Sequence, residues 1–288
     1  MSRTGAVVVS HRTPVRAVAC VESLAAAGAD VVLVVDAGSG DGSVQHLRTA
    51  GITVLSLANL GFGRAVNAGV AALPEDVDVV VICNADTTWK AGAVTALAAR
   101  ARAGGIGAVG PAVLYPDGRL QASARMLPDL TTAVGHAVLG RWWAANRWTQ
   151  RYRMADVDPA VARDADWLSG CALAVYRPAF VHVGGFDPGY FLYVEDVDLS
   201  VRLRAAGWRL VTEPEASVVH EVGASTRYRR AANVVHHVRS IDRYAATHLL
   251  QGHARLLRPV LRLALIAWAA AALVWERTLG LGQSTTGE

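Results

Sequence analysis

Three acidic residues within four positions form the part of this sequence most suited to catalysis. Glu195, Asp196 and Asp198 follow an apolar, aromatic run and precede a predicted amphipathic helix that a glycine ends. Acids at a first helical turn can simply complement the helix dipole. Here they adjoin residues typical of a pocket wall, where a carboxylate suits a general base. The segment alone leaves capping and catalysis both open.

Two predicted apolar strands end in polar side chains. Asp36 ends the second predicted strand, and Asn84 and Asp86 end the fourth. A carboxylate at a strand end can accept the ring N–H of a pyrimidine, and Mg²⁺ or Mn²⁺ prefers oxygen ligands. Turns and helix caps use the same residue types. Because ligands bind beyond the carboxyl ends of strands in α/β sheets, the two positions together favour a metal-bound nucleotide diphosphate.

A glycine-rich turn follows Asp36 and runs to Ser43. It lacks the lysine of a Walker loop and the glycine spacing of a dinucleotide-binding fingerprint. Asp41 or Ser43 is predicted to cap the next helix.

The elements that position these side chains alternate regularly at first. Strand–helix alternation at this spacing predicts an α/β fold with a mostly parallel central sheet flanked by helices. The predicted strands are Ala6–Ser10, Val31–Val35, Ile52–Leu57, Val77–Cys83 and Ile106–Val113. The second half is less regular: a turn at 115–119, an excursion to residue 166, strands Trp167–Tyr176 and Val211–His220, and helices from Val234.

Composition excludes several classes of protein. The chain has 288 residues, 52% of them hydrophobic, and a net charge of +4, supplied almost wholly by arginine, a residue suited to phosphate recognition. No nucleic-acid-binding motif is present, so nucleic acid is not an expected partner. Cys20, Cys83 and Cys171 lie far apart and fit reduced thiols better than a disulfide framework or a zinc site.

The segment from Leu256 to Leu281 resembles a membrane segment in composition but not in length. Its longest uncharged run, Leu263–Trp275, falls short of the about 20 residues that a spanning helix needs. With flanking arginines, it is predicted to lie in the membrane interface. The alternative is a helix packed on the rest of the chain or against a second subunit of a homodimer.

Taken in order, these segments resemble family 2 of the inverting glycosyltransferases, which have the GT-A fold. The order of the motifs is more specific than any one of them. The matching segments are residues 34–43 (Val-Val-Asp-x-Gly-Ser-x-Asp-Gly-Ser), 59–69 (Asn-Leu-Gly-Phe-Gly-x-Ala-x-Asn-x-Gly), 84–86 (Asn-x-Asp), 184–187 (Gly-Gly-Phe-Asp), 195–199 (Glu-Asp-x-Asp-Leu) and His220.

A narrower resemblance is to rhamnosyltransferases that add L-rhamnose to N-acetylglucosaminyl-diphospho-polyprenol in cell-wall synthesis, such as that of the arabinogalactan linkage. It rests on residues 110–111, 117–118, 123–125, 135–140 and 167–170. The sequence departs from the family pattern at Ala37, Ala85 and His11-Arg12, and none of these departures removes a proposed carboxylate.

The resemblance implies a role for each site residue. Asp196 would be the base that deprotonates the acceptor, with Glu195 beside it. Asp86 and His220 would hold a divalent metal, Mg²⁺ or Mn²⁺. The residues implied to bind the nucleotide sugar are Asp36, Ser39, Asp41, Asn59, Gly61, Asn67, Asn84 and Asp86, and those implied to bind the acceptor are Trp167, Gly170, Asp198 and Arg202.

The resemblance also implies the partners and the layout. The expected donor is dTDP-L-rhamnose and the expected acceptor a polyprenyl-diphosphate-linked sugar, met at the cytoplasmic face of the plasma membrane by a peripheral protein. A galactofuranosyl, glucosyl or mannosyl donor remains open, as does a catalytically silent scaffold that binds a sugar nucleotide. The expected layout is a catalytic domain over residues 1–226, with a nucleotide-sugar half (1–113) and an acceptor half (114–226), then a helical segment, 227–288.

Overall fold

The computed structural model describes residues 2–127, 143, 145–153, 161–221 and 230–283. The motif at residues 135–140 and the predicted domain boundary at residue 226 lie outside these ranges.

A mixed sheet forms the core, with eight strands among the described residues. Its order is β3-β2-β1-β4-β9-β6-β10-β5, and a separate ribbon pairs β7 with β8. The strands are β1 (Arg3–Ser10), β2 (Val31–Ala37), β3 (Val54–Leu57), β4 (Val77–Asn84), β5 (Thr87–Trp89), β6 (Ile106–Leu114), β7 (Ala124–Arg125), β8 (Trp167–Leu168), β9 (Ala172–Tyr176) and β10 (Arg209–His220).

The sheet is parallel in two blocks that an antiparallel strand joins. Strands β3, β2, β1 and β4 run parallel to one another, as do β6 and β10. Strand β9 lies between the blocks and runs antiparallel to both β4 and β6. The carboxyl ends of the parallel strands therefore share one edge with the beginning of β9.

Helices cover both faces of the sheet. They are α1 (Pro14–Ala26), α2 (Ser43–Thr49), α3 (Phe62–Ala72), α4 (Ala93–Ala101), α5 (Arg147–Arg153), α6 (Arg177–His182), α7 (Glu195–Ala205), α8 (Arg230–Tyr244) and α9 (Arg258–Gln283), with a π-helical turn at Ala245–Leu249 and a 3₁₀ turn at Gly252–Leu257.

Apolar strands buried on both faces explain this layering. One apolar cluster joins β1 and β4 to α1 and α4, with Val8 and Leu97 fully buried. The other joins the opposite face to α3, α6 and α7, with Val7 and Phe186 fully buried. Continuous valine-rich runs fit strands covered on both sides. The predicted α/β fold with a C-terminal helical region is thus confirmed.

Two details differ from the sequence prediction. Trp167–Tyr176 is not one strand, because the chain turns at Ser169–Cys171 and β8 and β9 belong to different sheets. The acidic cluster does not precede a helix but begins it, since α7 starts at Glu195.

The C-terminal helix α9 packs against α8. The Asp242 carboxylate of α8 binds Arg258 and Arg262 at 2.8 and 3.0 Å. Two of the flanking arginines therefore pair within the chain instead of pointing to lipid phosphates. Within the described residues, no helix combines the length and the apolar character needed to cross a membrane. The outer face of α9 is apolar and exposed, at Val260, Leu263, Ile266, Trp268 and Val274.

Candidate active site

Asp36 lies buried at the carboxyl end of β2, with 1% of its surface exposed. It accepts hydrogen bonds from the Ser39 backbone N–H, at 3.1 Å, and from the Ser39 hydroxyl. The Ser39 hydroxyl oxygen accepts the Arg12 N–H at 2.8 Å. A Cβ on Gly38 would lie 2.7 Å from the Asn59 backbone nitrogen. The turn after Asp36 therefore packs tightly against the start of the segment 59–69.

Asp41 does not cap α2 as predicted, while its binding of the nucleotide sugar stays a prediction. It is exposed and accepts the N–H and hydroxyl of Ser43, at 3.1 and 2.5 Å. The hydroxyl bond from Ser43 lowers the pKa of Asp41. The residue that caps α2 is Gly42, so Asp41 braces the turn from one position earlier.

Gly61 and Asn67 hold the loop that leads to the acidic cluster. A Cβ on Gly61, where φ is +95°, would lie 2.2 Å from the Phe191 carbonyl oxygen. Asn67 accepts the Phe186 N–H at 2.9 Å and donates to the Phe186 carbonyl at 2.8 Å. Both the oxygen and the nitrogen of the Asn67 side-chain amide bind the backbone of Phe186, so Asn67 holds the loop in place. Its contribution to nucleotide binding stays a prediction.

Asp86 and His220 meet at the same sheet edge. The strand pairing of β10 with β5 places His220 opposite Thr87. The His220 Nε2 lies 3.3 Å from Asp86 Oδ1 and 3.4 Å from Asn84 Nδ2. Burial lowers the pKa of His220, but hydrogen bonds with Asp86 and Cys171 outweigh this and raise it to about 10. The histidine and the carboxylate therefore form an ion pair.

This pair would fit a divalent cation, held partly by substrate, that takes the place of the imidazole proton, because a histidine ligand must be neutral. Its side chains are only 9% and 8% exposed, and a carboxylate oxygen and an imidazole nitrogen converge. The described residues contain no group of three or more acidic, histidine or cysteine ligands. Mg²⁺ and Mn²⁺ sites that rely on substrate phosphates need only one or two protein ligands.

Gln121 and Cys171 are neighbours of His220 that the sequence did not reveal. The Gln121 amide donates to the His220 carbonyl at 3.0 Å, and its oxygen lies 3.1 Å from Nδ1 of the ring. Such contacts fix the orientation of an imidazole. Gln121 follows a surface turn and belongs to no periodic pattern, so the sequence gives no signal for its contact with His220.

Asp196 is aimed by the backbone of the loop between β8 and β9. Its Oδ2 accepts the Gly170 N–H and its Oδ1 the Val197 N–H, both at 2.9 Å. Burial raises the pKa of Asp196, against these two donors and the charge of Arg125, which lower it. Gly170 is thus a neighbour of the predicted base, close enough that an added Cβ would lie 3.4 Å from Asp196 Cβ.

Glu195 is the more deeply buried member of the acidic pair. It is 6% exposed, and its Oε2 has no hydrogen-bond partner among the described residues. Burial, reinforced by the Asp196 charge, raises the pKa of Glu195 to about 8. Glu195 therefore keeps its proton at neutral pH.

Arg125 is a further site residue that the sequence did not assign. Its guanidinium lies over the buried Trp167 ring, 5.0 Å from the centroid, and its charge acts on Asp196. The β7–β8 ribbon brings Arg125 and Trp167 together, since the two are directly paired in register. The ribbon thus gives the predicted acceptor side an aromatic ring and a cation.

Asp198 and Arg202 form contacts within the chain. The Asp198 carboxylate is 1% exposed and binds Arg202 Nε at 2.8 Å and His248 Nε2 at 2.7 Å. Arg202 also donates to the Val183 carbonyl at 2.7 Å. These contacts tie α7 to the rest of the chain, and the acceptor role of the two residues stays a prediction.

Residues 6–156 match the family described as Glycosyl transferase family 2. The chain belongs to this family. It is 42% identical over 222 residues to the N-acetylglucosaminyl-diphospho-decaprenol L-rhamnosyltransferase of Mycobacterium tuberculosis (strain H37Rv), covering 73% of this chain and 72% of that protein. It is also 40% identical over 81 residues to the rhamnosyltransferase WbbL of Escherichia coli (strain K12), covering 28% of this chain and 31% of WbbL.

Solved structures agree on the fold of this family 2 chain. TarS residues 1–349 from S. aureus superpose with a TM-score of 0.54 at 12% identity, covering 93% of this chain and 80% of that one. GalNAc-T7, solved with UDP, GalNAc and Mn²⁺, superposes with a TM-score of 0.51 at 14% identity. That match covers 96% of this chain, which spans 57% of the GalNAc-T7 chain. At these identities the likeness shows the GT-A fold alone.

The buried Glu195 predicts a pH dependence of stability in this family 2 chain. Its pKa rises from 4.5 to about 8 on folding, so between these values the folded protein holds a proton that the unfolded chain releases. The free energy of unfolding should therefore fall as pH rises through this window. Glu195→Gln should remove on the order of 1–4 kcal/mol of that fall, measured by urea unfolding across the window.

The matched control is Glu22→Gln, at an exposed position of α1. It should leave the pH profile of the unmodified protein unchanged. An unchanged profile in Glu195→Gln as well would contradict the proposed proton on Glu195.

Proposed function

We propose that this chain is an inverting rhamnosyltransferase that moves L-rhamnose from dTDP-L-rhamnose to an N-acetylglucosaminyl-diphospho-polyprenol. The observation that carries this proposal is the 42% identity, over 73% of the chain, to a rhamnosyltransferase named for that type of acceptor. The arrangement of Asp196, Asp86 and His220 around one sheet edge supports it. The proposed setting is synthesis of a cell-wall polysaccharide.

An inverting transfer is a single displacement at the anomeric carbon, and Asp196 is the proposed base. The acceptor hydroxyl attacks the anomeric carbon, its proton passes to the Asp196 carboxylate, and the bond to the leaving diphosphate breaks. The N–H groups of Gly170 and Val197 hold the carboxylate in place. A positioned base of this kind contributes roughly 10²–10⁴-fold to the rate.

Protonated Glu195 would assist Asp196 by remaining neutral. Two adjacent ionised carboxylates in a buried site repel each other, so one holds its proton. Burial raises the pKa of Glu195 to about 8, so we place that proton on Glu195. Asp196 then enters the reaction as the ionised partner.

Asp86 and His220 are the proposed ligands of a divalent metal, and Asp36 is the proposed partner of the thymine ring N–H. The metal would supply positive charge to the diphosphate of the donor. Neighbouring side chains orient these proposed ligands. Gln121 fixes the His220 ring, and Ser39 fixes the Asp36 carboxylate.

The proposed function predicts transfer from dTDP-L-rhamnose in preference to other donors. Purified protein, Mn²⁺ and a short-chain N-acetylglucosaminyl-diphospho-polyprenol should give a rhamnosylated product, measured by mass spectrometry. UDP-galactofuranose, UDP-glucose and GDP-mannose serve as competing donors. Faster transfer from one of these three would show that dTDP-L-rhamnose is not the preferred donor. Absence of transfer from dTDP-L-rhamnose and from all three competitors would contradict the assignment as an enzyme.

Asp196→Asn should abolish transfer while it preserves binding of the donor. The amide has nearly the same shape but cannot take the proton, so the rate should fall about 10²–10⁴-fold. Calorimetry with dTDP should show unchanged affinity. Near-normal turnover by a folded Asp196→Asn protein would contradict its role as the base.

Asp86→Ala should weaken the Mn²⁺-dependent part of donor binding. Removing one of two proposed protein ligands should cost about tenfold or more in the affinity for dTDP-L-rhamnose with Mn²⁺, measured by calorimetry. Asp117→Ala, in an exposed turn, is the control. An Mn²⁺-dependent affinity that is unchanged in Asp86→Ala would contradict the metal role.

Helix α9 is the proposed peripheral contact with the cytoplasmic face of the plasma membrane. Its outer face offers an apolar surface in which Leu263 is 68% and Ile266 61% exposed. Burial of each such side chain contributes about 1.5–3 kcal/mol. Because Asp242 already pairs Arg258 and Arg262, apolar burial outweighs charge in this contact.

Full-length protein should therefore float with anionic liposomes, and with only modest sensitivity to salt. Truncation after Gly252 removes α9, so it should abolish flotation yet preserve the affinity for dTDP. It should also slow transfer to lipid-linked acceptor. Full-length protein that stays in the aqueous fraction at low salt would contradict the membrane contact and favour a homodimer through α9.

A further inference from the structure

The loop that carries the acidic pair has an unusual backbone. Tyr193 and Val194, directly before Glu195, have φ values of 70° and 68°. A β-branched residue rarely adopts this conformation, because it is sterically strained. Such a backbone persists only where surrounding contacts hold it in place. Those contacts determine where α7 begins and hence where Asp196 points.

The holding contacts come from the C-terminal part of the chain. Ser240 donates to the Leu192 carbonyl at 2.9 Å, and the His236 ring stacks on Phe191 at 4.2 Å. The His237 ring lies 5.2 Å from that of Tyr193. Arg243 binds Asp187 at 2.7 Å, at the start of the same loop. Helix α8 therefore lines the loop from residue 187 to residue 193.

His248 makes the contact closest to the catalytic carboxylates. It lies in the π-helical turn after α8 and reaches Asp198, on the first turn of α7, at 2.7 Å. π-Helical turns are frequent at functional sites. The Asp198 carboxylate is 1% exposed, so it depends on His248 and Arg202 for the hydrogen bonds that water cannot supply.

We propose that His248 is a positioning residue for the transfer reaction, acting on Asp196 through Asp198 and the first turn of α7. Residues 236–248 then belong to the catalytic apparatus, although they lie beyond the predicted catalytic domain and beyond the residues that match the family. The proposal rests on the proposed function for the role of Asp196. It adds a second task to the C-terminal segment besides the proposed membrane contact.

Two amide variants test this role. In His248→Gln the side-chain nitrogen lies as many bonds from Cβ as Nε2 of histidine does, so it can still donate to Asp198. In His248→Asn the amide is one methylene shorter and cannot reach. His253→Gln, at an exposed position in the following turn, is the control.

We expect kcat to fall about tenfold or more in His248→Asn, because a small displacement of a catalytic group is costly. His248→Gln should retain kcat within about threefold, and His253→Gln should match the unmodified protein. The affinity for dTDP, measured by calorimetry, should not change in any of them, since Asp36 lies on another part of the sheet edge.

Equal kcat in the Gln and Asn variants would overturn the proposal, whether both are active or both impaired. A parallel loss of dTDP affinity, or failure of either variant to fold, would also overturn it, because His248 would then support the fold as a whole. The kcat of each variant is compared with that of the unmodified protein, using the nucleotide sugar that the unmodified protein consumes fastest, by transfer or by hydrolysis. A wrong donor assignment therefore appears in the unmodified protein and leaves this comparison intact.

Discussion

The insertion of β9 between β4 and β6 is the constraint on which the site depends. Because β9 runs antiparallel to both neighbours, its first residues lie where the parallel strands end. The Asn84 N–H accordingly donates to the Cys171 carbonyl at 3.0 Å, while the adjacent Gly170 N–H donates to Asp196. One short loop thus fixes the distance between the proposed donor side and the proposed base.

The negative charge of the site's carboxyl groups is limited both by their hydrogen-bond and ion-pair partners and by burial. The charge of each of these buried carboxylates is stabilised in a different way. Asp36 accepts hydrogen bonds from the neutral donors of Ser39, and Asp86 forms an ion pair with His220. The Oε2 of Glu195 has no hydrogen-bond partner among the described residues, and the carboxyl keeps a proton instead. These compensations limit the negative charge that a substrate phosphate would meet in the site.

The sequence predicts the positions of residues that follow apolar strands. Asp36, Asp86 and His220 end apolar strands, and parallel strands bring such ends together whatever the details of packing. It cannot reveal a role that a distant partner decides. Asn67 binds Phe186, and Asp198 binds His248, across separations of 119 and 50 residues. Arg125 escapes notice because its ribbon is only two residues long and leaves no periodic signal.

The two edges of the main sheet are its shortest strands, β3 with four residues and β5 with three. An edge this short offers few unpaired N–H and C=O groups to another chain, which guards against joining sheet to sheet. Edge-to-edge pairing of the main sheet is therefore a poor route to self-association of this protein. The exposed apolar surface on α9 is where aggregation would begin in the absence of lipid, so detergent should matter more to its handling than any change to the sheet.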